Sequence, residues 1–359
     1  MIFRILLALA LLPFTALTVY AEEQVPQPDA AAALAASQTD VPAELKGIVD
    51  LLDKEDEVVK AAREFQSVQS GLAYMEDELA RVIALKGASD QAEKEAQEKL
   101  DSAQRRRANI AKAWEMVHAK YPDNPLAMTF YGSILYYELG RQDEAVMLWK
   151  RASVVNDKLP EPINELYIHY FHVGDYANGW EAMEKVRKLA PDDPDVLFNL
   201  AQTFLTYAPQ VKQRYEWNDK KVYEEAMKCS KKAAEKLPQD FQVLQDYANN
   251  FYAAENFGVE ADWKDALEAW SKARAYAPNE YNVFYCWLNE ARCAIRKGDK
   301  SHATTALGEA LKIEPESKAA NNLLATLDSQ IEKHAGTNKS NDAKKSNEKK
   351  PKREKKDRS

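Results

Sequence analysis

Between residues 58 and 82 the apolar positions are Val58, Ala61, Phe65, Val68, Leu72, Met75, Leu79 and Val82, in steps of three and four. That is the a/d seam of a heptad repeat and predicts one long amphipathic helix beginning near Val41. LKGASD interrupts it. Gly87 suits the left-handed residue after a helix, and Asp90 with Glu93 three positions later suits the next N-cap. A second, charged helix follows to Lys120 on a weaker stripe of Ala92, Ala96, Leu100, Ala103, Ile110, Ala113, Trp114 and Val117. The short break favours an antiparallel, coiled-coil-like hairpin over residues 42–122. The alternative is that residues 58–82 pair with their own copy, which would make a homo-oligomer.

From residue 123 the pattern becomes a repeat of paired short helices. Gly140 and Gly174 are 34 apart, as are Tyr136 and Tyr170, Ala145 and Gly179, Ala152 and Val186, and Asp157 and Pro191. A small–large–small–Pro spacing of four, three and five returns as Ala226–Ser230–Ala233–Pro238, Ala266–Trp270–Ala273–Pro278 and Ala303–Leu307–Ala310–Pro315. Ile110, Trp114, Val117 and Pro122 show the same spacing, so the end of the hairpin merges into a degenerate leading repeat. The closing prolines after Pro191 are 47, 40 and 37 apart. The excess falls in TYAPQVKQRYEWNDKKVYEE and AAENFGVEADW, which predicts insertions between helices. Residues 317–335 read as one last helix without a partner, a terminal cap.

These segments, with NLAQTF at Asn199–Phe204, resemble the tetratricopeptide (TPR) family, in the manner of an exported bacterial-type member. The resemblance implies an all-α chain: the N-terminal helical hairpin, then a TPR α-solenoid over residues 123–335 of helical hairpins with a capping helix. It also implies that the first helix of each repeat lines a concave groove that holds a protein or peptide. Carried over by register, the groove residues are Phe130, Ile134, Tyr137, Glu138, Asn164, Ile168, Phe171, His172, Phe198, Gln202, Leu205, Gln245, Asn249 and Tyr252. Leu288, Arg292 and Arg296 follow after a three-residue shift. This mixture of aromatics and amides suits a peptide ligand. The basic residues with which one branch of the family clamps a C-terminal carboxylate are missing from the early repeats. Trp270 falls on a packing position of its second helix; Trp263, seven residues earlier, borders an insertion and has no assigned partner.

Composition narrows the function classes. Arg4 precedes an apolar run from Ile5 to Leu12, and a small-residue site ends at Ala21. Residues 1–21 therefore read as a signal peptide cleaved after Ala21, with the periplasm or cell envelope as destination and secretion as the alternative. Residues 22–41 are rich in Ala, Gln and Pro and read as a flexible leader. Residues 336–359 hold ten Lys or Arg against four Asp or Glu and read as a disordered basic tail. The formal charge of −8 thus hides a body of −15 over residues 22–335, which argues against nucleic-acid binding. The tail offers a weak contact for an anionic envelope surface, or for the acidic body itself.

Three cysteines do not make a disulfide framework: Cys286 and Cys293 lie two helical turns apart, and all three read as buried thiols. No nucleotide, hydrolase or metalloprotease motif occurs, so no enzyme and no cofactor is expected. His169, His172 and Asp175 form the strongest metal-like cluster, but His169 falls on a packing position and no metal site is expected. The preferred reading is an exported, non-catalytic interaction scaffold. The alternative is a self-assembling envelope protein tethered to an anionic surface by its tail.

Overall fold

A computed structural model describes residues 117–334 continuously, and residues 94, 95, 97, 98, 101, 111, 114 and 115 before them. The signal peptide, leader, heptad seam at 58–82, break at Gly87 and basic tail lie outside the described residues. Among the described residues the chain is α-helical, and no helix is long and apolar enough to cross a membrane. It divides into two compact units between Thr206 and Tyr207.

The first unit contains α1 (Pro125–Tyr137), α2 (Gln142–Val155), α3 (Pro160–His172), α4 (Tyr176–Leu189) and α5 (Pro194–Thr206). Helix starts follow local chemistry. Asn124 caps α1 by accepting from the amides of Leu126 and Ala127 at 3.0 Å, and Pro125 stands where no helical N–H is needed. Asp175 caps α4 and Asp193 caps α5 in the same way. α1 and α3 each turn into the following helix through a glycine with positive φ, Gly140 at 66° and Gly174 at 81°. These are the two glycines spaced by 34, and the left-handed turn explains them.

The second unit contains α6 (Ala208–Tyr215), α7 (Asp219–Lys236), α8 (Phe241–Asn250), a 3-10 helix (Phe251–Glu255), α9 (Trp263–Ala275), α10 (Glu280–Lys297), α11 (Lys300–Ile313) and α12 (Lys318–Ala325). The two insertions are now explained. The longer one folds as the extra helix α6. The shorter one continues α8 as the 3-10 helix and then turns at Gly258. The terminal cap is divided: α12 stops at Thr326 and residues 327–334 are helical again.

The small–large–small register packs the hairpins. Ala145, Trp149 and Ala152 are wholly buried on α2, and Met183 and Val186 on α4, behind the buried Gly179. Ala226, Ser230 and Ala233 on α7, Ala266, Trp270 and Ala273 on α9, and Ala303, Leu307 and Ala310 on α11 are buried too. Small residues let paired helices approach closely, and the large residue between them fills the seam. The closest approach lies under Trp149. A methyl on Gly132 of α1 would stand 2.6 Å from its indole nitrogen, which donates to the Thr129 carbonyl at 3.0 Å. Trp270 occupies the same register on α9, yet its indole nitrogen has no hydrogen-bond partner among the described residues. Leading residues 114 and 117 join this core, with Trp114 5.1 Å from Phe130 between ring centres. The thiols Cys286 and Cys293 are buried, but Cys229 is only half-buried, because it lies one residue off the packed face occupied by Ala226, Ser230 and Ala233.

Candidate functional site

The first helices of the first unit carry most of the candidate positions. Phe130, Ile134, Asn164, Ile168, Phe171, Phe198 and Gln202 are buried, Tyr137 and Glu138 are half-buried, and His172 is exposed. Several of these pack the array. Phe171 meets Trp180 edge-on at 4.7 Å and Tyr167 at 5.7 Å. In the second unit Gln245 and Tyr252 are half-buried and Asn249 is exposed; Leu288 is buried, and Arg292 and Arg296 are half-buried. Leu205 at the end of α5 is half-buried.

Polar chemistry in the first unit gathers on a residue that register alone did not select. Glu165 of α3 is buried, and its carboxyl accepts from the Ser133 hydroxyl at 2.9 Å and the Tyr137 hydroxyl at 3.4 Å, both on α1. Burial pushes its pKa up to about 8, against the opposing hydrogen bonds from Ser133 and Tyr137, and the Asp195 carboxylate on α5 pushes the same way as burial. The Tyr137 hydroxyl is in turn raised well above its ordinary value, by burial first and by Glu165 second. Beside Glu165, the side-chain oxygen of Asn164 is buried and has no hydrogen-bond partner among the described residues. The sequence signal for this spot was a carboxylate in the middle of an otherwise aromatic, apolar stretch of α3.

The histidine cluster has other work. His169 Nδ1 lies 3.2 Å from the Tyr136 hydroxyl, and its pKa is lowered by burial and by Lys150. The Asp175 carboxylate holds the start of α4 through Asn178. Among the described residues no group of three or more His, Cys, Asp or Glu is placed to hold a metal ion.

The second unit builds a different arrangement around Trp263. The Arg296 guanidinium lies 5.0 Å from the Tyr252 ring centre and 5.1 Å from that of Trp263, and its Nε donates to Glu255 at 2.8 Å. Tyr252 also donates toward the Asn289 carbonyl at 3.3 Å and contacts Cys293 Sγ at 3.3 Å. Trp263 is therefore one wall of a clamp that already holds the chain's own cation. Nearby, Glu290 is almost fully buried and receives Arg274 Nε at 2.6 Å, while that guanidinium stacks 3.5 Å from the Trp287 ring centre. A cleft of about 270 Å³ opens between α7, α8 and α9, with Ala234, Leu244, Tyr247 and Ala269 as floor and charged residues of both signs as rim.

Five second helices bury one small–large–small register, and each packs against a preceding or following first helix across a short turn. The fold is that of a tetratricopeptide-repeat array. No protein-family model and no curated protein matches the chain. Solved structures similar to this tetratricopeptide array include YrrB, described as a TPR protein with an unusual peptide-binding site. It is 12% identical, with 60% of this chain and 99% of that chain covered and a TM-score of 0.42. A thermophilic TPR protein of Thermus thermophilus, TTC0263, is 19% identical, with 56% and 98% covered and a TM-score of 0.36. The C-terminal part of a TPR repeat-containing protein from Cytophaga hutchinsonii is 17% identical, with 72% and 96% covered and a TM-score of 0.41.

Proposed function

We propose that this chain is an exported, non-catalytic scaffold that holds a partner protein or peptide on the first helices of its first unit. The observation that carries the reading is the division of labour within each hairpin. The second helices spend their repeated small and large positions on packing. The first helices present Tyr137, Glu138, Asn164, His172 and the Glu165 network at or just beneath the surface. Aromatic and amide groups of this kind suit an extended peptide, because they combine apolar contact with hydrogen bonds to its backbone. Export rests on the N-terminal apolar run and its small-residue cleavage site.

A photo-crosslinking residue placed at Tyr137 should capture a discrete partner in envelope extract. The same residue at Val154, 82% exposed on the second helix α2, should capture none. Equal capture at both positions, or none at either, would sink the reading. The structural alternative, self-assembly through residues 58–82, predicts an oligomer by light scattering that is lost when Leu72 and Leu79 become polar.

A further inference from the structure

The second helices of the second unit share one register, and one position in it is occupied in one repeat and open in another. Four residues before the closing proline stand Ala234 on α7 and Arg274 on α9. Arg274 turns toward the following first helix, α10. Its guanidinium stacks 3.5 Å from the Trp287 ring centre, and its Nε donates to the buried Glu290 at 2.6 Å. The next second helix, α11, walls this slot with Ala306 and with His302, whose Nε2 lies 3.5 Å from Glu290. On α7 the matching side chain ends at a methyl. There the following first helix is α8 and the next second helix is α9, and the cleft of about 270 Å³ lies between the three. Its α9 wall includes Asp265 and Ala269, which match His302 and Ala306 at the 37-residue spacing of the closing prolines. The cleft is therefore the slot of Arg274 without its arginine.

What the cleft offers is what Arg274 finds one repeat later. Ala234 and Leu244 are buried in its floor and suit the apolar stem of a long side chain. Tyr247 of α8 supplies the aromatic ring. It is half-buried, and among the described residues no cation stands over it. Asp265 and Glu235 supply the carboxylates, and neither forms an ion pair among the described residues. Glu268 is already paired with Lys264, and Lys231 and Lys272 stand on the rim without pairing to Asp265 or Glu235. The field at the ring is negative: after burial, Asp265, Glu235 and Asp262 push the Tyr247 hydroxyl up to about 12. A half-buried aromatic face attracts a cation. A planar guanidinium can stack on the ring and bond a carboxylate at once, which a compact ammonium does less well. The volume falls below the roughly 300–1,000 Å³ of drug-sized ligand sites and suits one side chain.

We infer that the cleft between α7, α8 and α9 takes the guanidinium of an arginine presented by a partner protein, stacked on Tyr247 and held by Asp265 and Glu235. This adds a recognition point in the second unit and does not depend on the first-helix site proposed above.

Saturation-transfer NMR on the full-length chain, with N-acetylarginine amide as the probe, tests the cleft. The wild type should saturate this probe, and N-acetyllysine amide several-fold less. Ala234→Arg should fill the slot from within, keep the thermal transition and abolish the arginine signal. Ala234→Met, which blocks the same space without adding charge, should abolish it too. Tyr247→Leu should weaken the probe about fivefold and Asp265→Asn about threefold. Asp143→Asn on α2, with the same change in net charge, should leave it unchanged. A signal that survives both substitutions at Ala234 places the arginine elsewhere and overturns the inference. Equal saturation of the lysine probe, or saturation of neither probe, also overturns it. If the arginine probe binds more tightly when Arg353 and Arg358 of the tail become Gln, the occupant is the chain's own tail, and the assignment to a partner fails. None of these outcomes bears on crosslinking from Tyr137, so the first-unit reading stands or falls separately.

Discussion

The Gly132→Ala substitution separates two forces that act on the same methyl group. In a helix interior alanine is better than glycine by about 1 kcal/mol, since it lowers the entropy of the unfolded chain. At Gly132 that methyl would lie 2.6 Å from Trp149 Nε1 and 3.0 Å from Cδ1. Trp149 is fully buried, stands 5.2 Å from Tyr136 between ring centres and is tethered to the Thr129 carbonyl, so the indole has little room to retreat. Overpacking of this kind costs about 1–3 kcal/mol, and stretching the indole hydrogen bond adds a part of the roughly 1 kcal/mol such a bond contributes. The net expectation is a loss of about 1–2 kcal/mol. Gly308 on α11 is the internal control, because its added methyl meets nothing within 4 Å. Gly308→Ala should therefore gain about 0.5–1 kcal/mol. Thermal melts followed by far-ultraviolet circular dichroism should move in opposite directions, by roughly 2–4 °C per kcal/mol. In a Trp149→Phe background, which removes the nitrogen-bearing edge, the Gly132→Ala penalty should shrink by about 1 kcal/mol or more. If Gly132→Ala melts at or above the wild-type temperature, the close approach assigned to Trp149 is wrong.

Other consequences are simpler to state. The Glu165 pKa is raised to about 8 from the 4.5 of a free side chain, so the folded chain holds a proton that the unfolded chain releases; the wild type loses stability as pH rises from about 4.5 to 8. Glu165→Gln should therefore gain on the wild type across that window and match it most nearly below about pH 4.5; a pH-independent difference in melting temperature would contradict this. Arg274→Ala leaves the buried Glu290 carboxylate, among the described residues, with only His302 Nε2 at 3.5 Å and should cost about 3 kcal/mol by urea titration. Arg141→Ala breaks an exposed pair with Glu144 and should cost under about 1 kcal/mol. Burial pushes the Cys286 thiol up to about 12 and the Cys293 thiol up to about 11, so iodoacetamide at about pH 8 should label Cys229 first and reach the other two only on unfolding.

The repeat was legible because it is written twice. Residue size repeats at Ala145–Trp149–Ala152 and its four successors, and turn chemistry repeats at Gly140 and Gly174. Both are local, and a helical hairpin leaves little else for them to specify. The same register places Trp270 in the core, where the structure has it. The insertions could be located but not described from sequence, since the helical pattern of α6 is short and the 3-10 helix at Phe251–Glu255 continues α8 without any break in sequence character. The candidate face was legible only in outline. Register says which side of a helix a residue occupies but not how deeply it sits, so it groups Phe130, Phe171 and Phe198 with Tyr137 although they are buried. Glu165 escapes such reasoning because its meaning depends on Ser133 and Tyr137 from another helix. Trp263 has no explanation in its own neighbourhood, because its partner Arg296 lies 33 residues away.

The turns at Gly140 and Gly174 impose a limit of a different kind from the one at Gly132. A methyl added at either turn would meet nothing within 4 Å, so the positive φ, and not crowding, excludes an L side chain there. What these positions specify is handedness. A D-alanine introduced at residue 140 or 174 by chemical ligation would find its preferred torsions already in place, and would have fewer conformations to lose on folding than glycine does. Mirror-image chemistry is thus open to the array at its hairpin turns, where ordinary mutagenesis has no residue to offer.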